Sequence, residues 1–303
     1  MKKTYVPFRD RYGKRPWPNQ ARLAFAMYMA TEEWTIENLT KNNRVPPATP
    51  RQAKPRPGEA PDLSILTTIE YGYRVGVWRL LDVFDRCGMK VSILANGLAA
   101  ERHPELFREF VGKEFEIIGH GYDQAVWMSD LSEEEQKETI RKSVKIFQTV
   151  CGTRPYGWGS PGTRQHENIL SLLLEEGFTY HMGFHDDELP YFIEVDGKEI
   201  IEIPYRVVDG GELNDYYMWS QDDYRIPSEA FAYMKEFFDS KYEESSRTPQ
   251  LVTFGCHPFV SGRPDHAKVI MEFLRYIQSF KDVWIAGRFG DVAGWWKQHG
   301  AKF

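Results

Sequence analysis

Acid and base side chains recur in this sequence where apolar runs of strand type end. Glu32 and Glu33 follow "LAFAMYM" (Leu23–Met29), and His120 closes "FEIIGH", with Asp123 and Gln124 just behind. Arg164 follows "YGWGSPGT", the group His185, Asp186, Asp187 and Glu188 follows "FTYHMGF", and His257 follows "LVTFGC". Carboxylates beside imidazoles are the materials of general acid–base chemistry. His120 also raises a metal question. A histidine four residues later would complete a ligand pair, and Gln124 stands there instead. Two adjacent glutamates are usually a solvated turn, and a lone histidine at a strand end is usually a satisfied polar group. Glu32, Glu33, His120 and His257 together favour a site. Trp127, Trp158 and Tyr205 are candidate pocket walls, although core packing explains any one of them better. His103, His166, His266 and His299 fall on predicted helices or their caps and read as structural or exposed.

These residues need a scaffold, and the chain alternates accordingly. "RVGVWRLLDVFDRCG" puts Val77, Leu80, Leu81 and Phe84 on one helical stripe, with Gly88 as its stop. "KVSILAN" and "FEIIGH" read as strands, and "HPELFREFVG" as a short helix between them. Ser132 and Glu135 form a capping box at the head of a long helix. "FIEVDGKEIIEIPY" reads as a hairpin turning at Asp196-Gly197. Helices over "SEAFAYMKEFFDSKYEE", "DHAKVIMEFLRYIQSF" and "FGDVAGWWKQHG" alternate with the strands "LVTFGC" and "DVWIAG". Six to seven strand–helix units imply an α/β protein: a parallel sheet covered by helices, open or closed into a barrel. Functional residues are then expected at the C-terminal strand ends. The segment 35–62 is proline-rich and without period, so it is expected to be a loop or surface arm. No composition break divides residues 1–303, so one domain is expected.

Composition narrows the partners. The net charge of −6 argues against nucleic acid. No apolar run approaches the roughly 20 residues of a membrane span, and no N-terminal apolar segment reads as a secretory signal. Three isolated cysteines, Cys87, Cys151 and Cys256, do not make a disulfide framework and suit a reducing cytoplasm. A cytoplasmic protein acting on a small molecule is expected.

The blocks "ATEEW", "EYGYRVGVWRLLDVFDRCGMKVSILANG", "EIIGHGYDQ", "GTRPYGWGSPGTRQHENILSLLLEEGF", "DDELPYF", "IPYRVVDGGELND", "GCHPFVSGRP" and "VWIAGRFGDVAGWW" occur in an order that resembles the polysaccharide deacetylase (NodB-homology, carbohydrate esterase family 4) superfamily. Within it the chain is most similar to the branch of metal-independent, PuuE-type allantoinases. The resemblance implies an irregular (β/α) barrel of about seven parallel strands, hydrolysis of a C–N bond, and a homo-oligomer of the tetramer kind. In metal-dependent members the first of two aspartates after the first strand is a general base. The second joins the histidines of a His-x-x-x-His motif as metal ligands, and a late histidine is the general acid. Glu32 and Glu33 match the aspartate pair, His120 the first histidine, and His257 the acid. Gln124 takes the place of the second histidine. The arginine of the "RxPxG" motif is missing near Gly159.

An amide is a poor, neutral donor for zinc, so no tightly bound metal and no other cofactor is expected. The alternative is a weak divalent-metal site, such as zinc, at Glu33 and His120. Without a metal, a side-chain base must activate water, and hydrogen-bond donors must hold the oxyanion. Glu32 is expected to be that base, its pKa raised by burial or by neighbouring Glu33, and Glu33 is expected to orient it or share the proton. His257 is expected to protonate the leaving nitrogen. His120, counted with the catalytic residues, is expected with Gln124 and Arg164 to bind the carbonyl oxygen or the substrate, and Trp158 and Tyr205 are expected to bind substrate. This chemistry suits a strained or activated cyclic amide of the hydantoin or imide type. The competing readings are a metal-dependent N-deacetylase of a glycan or peptidoglycan fragment, and a member that binds a ligand without turnover.

Overall fold

A computed structural model describes residues 1–44, 56, 58–60, 63–205, 213–219 and 224–300. Its strands are β1 (Lys2–Thr4), β2 (Leu23–Thr31), β3 (Ser92–Ala95), β4 (Glu116–Gly119), β5 (Gly157–Trp158), β6 (Tyr180–His181), β7 (Tyr191–Val195), β8 (Lys198–Glu202), β9 (Leu213–Asn214), β10 (Gln250–Cys256) and β11 (Val283–Gly287). They form one sheet in the order β1-β7-β8-β6-β5-β4-β3-β2-β10-β9, with β11 also paired to β2. The run from β8 to β9 is parallel, and only β1–β7 and β7–β8 are antiparallel. The α/β architecture with mostly parallel strands is therefore as expected. Among the described residues no strand pair closes the sheet into a barrel. No helix among them is long and apolar enough to cross a membrane.

β2 explains both the core and the site. It pairs with β3, β10 and β11, and every one of its residues is buried, as a parallel strand covered on both faces requires. Its side chains alternate between two layers. Leu23, Phe25, Met27 and Met29 pack into the helix-side core with Leu80, Phe84, Phe254, Ile270 and Phe273. Ala24, Ala26, Tyr28 and Ala30 face the other side, with Trp17, Tyr180, Phe289 and Trp296. Alanines take three of the four β2 positions on that face, where the aromatics opposite take the space.

Register carries this alternation across neighbouring strands. Ala30 pairs with Leu94, and Leu94 with Ile118. All three belong to the cluster on the Ala24–Ala30 face. Two residues onward the same parity brings Glu32 and His120 to that face, and leaves Glu33 toward the helices. On β10, Gly255 pairs with Tyr28, and His257 lies two residues beyond it.

Local expectations hold at several points. The helix Val77–Cys87 buries Val77, Leu80, Leu81 and Phe84 and ends at Gly88, whose φ of 61° is left-handed. It is prolonged backwards by a π-turn at Gly72–Gly76 and a helix at Leu63–Tyr71. Ser132 caps Glu133–Cys151 with the reciprocal Glu135 bond. β7 and β8 form the hairpin, turning at Asp196 and Gly197 with positive φ. The expectation of a structureless arm from residue 35 is corrected by a helix over Ile36–Asn42. Thr35 caps it, and buried Asp123 pins it by accepting from the Thr35 backbone N–H and hydroxyl and from Asn38 Nδ2. Most of the rest of that arm, including 45–55, lies outside the described residues.

Candidate active site

A cavity of about 490 Å³ opens at the C-terminal ends of the parallel strands. Glu32, His120, Gln124, Tyr205 and His257 all line it, so five of the eight expected site residues meet in one place. Tyr28, Asn214 and Tyr216 join them, and Trp34, Leu94, Trp127 and Met182 supply apolar wall.

Glu32 is the hub. Its Oε1 accepts from Gln124 Nε2 at 2.8 Å and lies 3.4 Å from His120 Nε2 and 3.6 Å from His257 Nε2. Its Oε2 accepts from the Tyr216 hydroxyl at 3.2 Å. His120 is fixed from behind, where Nδ1 donates to the Gly159 carbonyl at 2.5 Å and leaves Nε2 turned toward Glu32. His257 is fixed by Asp215, which is completely buried. Asp215 accepts from Nδ1 at 2.7 Å, from the His257 backbone N–H at 2.6 Å and from the Ser261 hydroxyl at 2.7 Å. Tyr216 stacks on the His257 ring with centroids 3.7 Å apart.

These contacts set the charges. Burial lowers the His257 pKa, but the negative charges of Asp215 and Glu32 and their hydrogen bonds outweigh it and raise it to about 9. Burial pushes Glu32 up, but the His257 charge and the close approach of both imidazoles hold it down at about 2. The expectation of a raised Glu32 pKa is thereby corrected. The neighbour that governs Glu32 is a cation rather than Glu33, whose side chain leaves on the opposite parity. At neutral pH the pair is a carboxylate beside an imidazolium.

Glu33 does not reach the cavity. Its carboxylate accepts from Arg102 Nη1 at 2.6 Å and sits 2.8 Å from His103 Nε2, while His103 stacks on Tyr73. His103, read from sequence as structural or exposed, thus positions Glu33. Trp158 is also corrected. It is fully buried against Phe178, its Nε1 donates to Ser160 Oγ at 3.1 Å, and Gly119 leaves room for its ring. Arg164 is absent from the lining and lies over the Trp127 ring at 5.5 Å. Arg44 takes the place on the wall. It lies 3.4 Å above the same ring, bonded to the Ala125 carbonyl and paired with Asp130 at 2.6 Å. The group 185–188 joins a separate depression with Lys3 and Arg11, where Arg11 pairs with Asp187 at 2.7 Å.

The ligand positions of the metal-dependent relatives can be tested on these contacts. The Asn96 Oδ1 accepts from the Glu33 backbone N–H at 3.1 Å, which fixes that amide. Asn96 Nδ2 therefore faces Gln124 Oε1 at 3.2 Å, and Gln124 presents its N–H₂ to Glu32. A cation would meet a donor group at residue 124 and a carboxylate at Glu33 already engaged by Arg102 and His103. The residues at these positions do not fit a metal. Among the described residues no group of three His, Cys, Asp or Glu side chains is suited to hold one.

The polysaccharide deacetylase family model matches residues 58–181. The fold is similar to that of a probable polysaccharide deacetylase from Pseudomonas aeruginosa PAO1, with 30% identity, a TM-score of 0.85, and coverage of 95% of this chain and 96% of that one. It is equally similar to PuuE allantoinase, at 30% identity and a TM-score of 0.84, with 95% of each chain covered. Peptidoglycan deacetylase of Helicobacter pylori is 27% identical over 122 residues, 40% of this chain and 41% of that protein.

Proposed function

Because this chain belongs to the polysaccharide deacetylase family of hydrolases, we propose that it hydrolyses the C–N bond of a small cyclic amide, of the allantoin or cyclic imide kind, without a tightly bound metal. The observation that carries this is the Gln124 amide bonded to Glu32, with Glu33 tied to Arg102 and His103. The 30% identity to PuuE allantoinase over nearly the whole chain supports the same reading.

In the proposed mechanism, water on Glu32 attacks the ring carbonyl and passes its proton to the carboxylate. The C–N bond of the tetrahedral intermediate then breaks, and His257 Nε2 gives its proton to the departing nitrogen. Glu32 returns the first proton to His257. Both groups are in working form between about pH 2 and about pH 9. A carboxylate held at about 2 is a weak base, so the substrate carbonyl must itself be reactive, as in a strained or activated ring. Gln124 and Tyr216 hold Glu32, and His120 bounds the water site on its other side.

N-deacetylation of a sugar amide is the second reading, favoured by the similarity to deacetylases. A panel of allantoin, hydantoin, succinimide and N-acetylglucosamine oligomers, assayed with and without chelator, separates the two. Chelator-insensitive turnover of a ring substrate is expected. Turnover of the acetylated sugars alone, lost on chelation, refutes the first reading.

A further inference from the structure

The mechanism above leaves the oxyanion without an assigned donor, and the hydrogen bonds on the cavity wall supply one. Asn214 Oδ1 accepts from the Tyr216 backbone N–H at 2.9 Å, and a backbone N–H can only donate, so the orientation of this amide is fixed. Asn214 Nδ2 therefore faces the other way. It donates to the Tyr205 hydroxyl at 2.9 Å and to the Tyr28 hydroxyl at 3.2 Å. Those two hydroxyls are also bonded to each other. Neither hydroxyl can donate to the amide nitrogen, which is itself the donor. One of the two phenolic protons bridges the oxygens, and the second has no acceptor in the protein among the described residues. Tyr28, Tyr205 and Asn214 all line the cavity that holds Glu32 and His257. Both tyrosines border the cavity, and Tyr205, at 7% exposed against 1% for Tyr28, is the more open of the two.

Resting on the hydrolase reading above, we infer that the Tyr205 hydroxyl is a catalytic hydrogen-bond donor, aimed at the carbonyl oxygen that becomes the oxyanion. Tyr28 is its positioning residue, donating to Tyr205 within the chain Asn214, Tyr28, Tyr205, substrate oxygen. A chain of donors of this kind polarises its last proton and strengthens the final bond. Burial, with the charges of Asp215 and Glu32, pushes both phenols well above their ordinary range, so each stays a neutral donor. The fold makes room for this arrangement at one residue. Gly255 is the register partner of Tyr28, and a Cβ there would collide with the Tyr28 hydroxyl. No step requires a further reactant, because the hydroxyl keeps its proton throughout.

The test is steady-state kinetics on whichever member of the panel the wild type turns over. Tyr205→Phe is expected to lower kcat by about 10²–10³-fold, the range seen for loss of one oxyanion donor, with KM little changed. Tyr28→Phe leaves the Tyr205 proton in place and is expected to cost about tenfold or less. A second measurement does not depend on the Phe variants folding. 3-Fluorotyrosine placed at 205 is a more acidic donor of nearly the same shape and is expected to raise kcat. Full activity in Tyr205→Phe, a larger loss from Tyr28→Phe than from Tyr205→Phe, or no response to fluorination overturns the assignment. Absence of turnover by the wild type on every member of the panel overturns the hydrolase reading and this assignment with it. Wild-type turnover with an indifferent Tyr205 overturns the assignment alone.

Discussion

Replacing Asp215 by Asn tests the electrostatics of the site at its root. Asp215 is completely buried and accepts three hydrogen bonds on two oxygens, two of them from His257. The variant keeps the shape and removes one charge. His257 rises from its ordinary 6.5 to about 9 against the effect of burial, and the Asp215 charge is the largest cause raising it. That rise is worth about 3 kcal/mol of preference for the imidazolium. Loss of an opposite charge at this range typically moves a pKa by about 1–3. In Asp215→Asn, His257 is then expected to titrate between about 6 and 8. The folded pKa is above the unfolded one, so this stabilisation is fully present below about 6.5 and is lost as pH rises through about 9. The variant loses part or all of it at neutral pH, according to where in that range His257 titrates. In addition, its side-chain N–H₂ must face at least one of three donors, a conflict costing about 1–3 kcal/mol. NMR titration of ¹³C-labelled histidine reads the His257 value directly and needs no substrate. Denaturant unfolding from pH 6 to 10 reads the stability. A wild-type His257 titrating near 6.5, or an unchanged titration in the variant, refutes the reasoning.

Three further outcomes follow from the same contacts. Dialysis against chelator is expected to leave activity unchanged, measured beside the metal content of the dialysed protein; a loss restored by added zinc refutes the reading of Gln124. Glu32→Gln is expected to lower kcat by about 10²–10⁴-fold. It should also flatten the acid limb of the stability profile, because the depressed Glu32 pKa contributes stability above about 4.5 that is lost as pH falls toward about 2. Unfolding midpoints between pH 2 and 5 check this, and a variant as acid-sensitive as the wild type contradicts it. Gly119→Ala would place a Cβ 2.6 Å from Trp158 Cε3 and is expected to cost about 1–3 kcal/mol by denaturant unfolding; no loss would show that the ring yields freely.

Much of the site was legible because strand ends were. The strand before His257 ends at Cys256 as the sequence pattern places it, while β4 stops at Gly119, one residue earlier than expected, and β2 runs two residues past Met29 to Thr31, next to Glu32. Side-chain direction was legible too, though only with strand parity applied. Residues 28, 30 and 32 share a face of β2 and its extension, and that alone separates Glu32 from Glu33. Trp158 misled because its burial depends on Gly119 of the neighbouring strand, a contact that needs register rather than sequence spacing. Arg164 misled because the wall position belongs to Arg44, at the end of a helix with only Leu39 buried and therefore with no apolar stripe to announce it. Asp215 had one indirect signal. A buried histidine acting as an acid needs a carboxylate behind it, and "LND" ends on one. Its placement comes from the β9–β10 pairing, which no local pattern encodes.

Gln124 then has a positive role. A histidine at 124 would face a carboxylate already flanked by His120 and His257. An imidazolium there would depress Glu32 further and, in the proposed mechanism, weaken the base. The neutral amide instead donates one hydrogen bond to Glu32 Oε1 and accepts one from Asn96, and Asn96 in turn is anchored to the Glu33 backbone and to the His120 carbonyl. This network ties the two strand ends that carry Glu32 and His120 into one unit and adds no charge. On the proposed reading, side-chain amide hydrogen bonds hold the geometry that coordination would hold in a metal-dependent relative, and the His257 imidazolium serves as the acid.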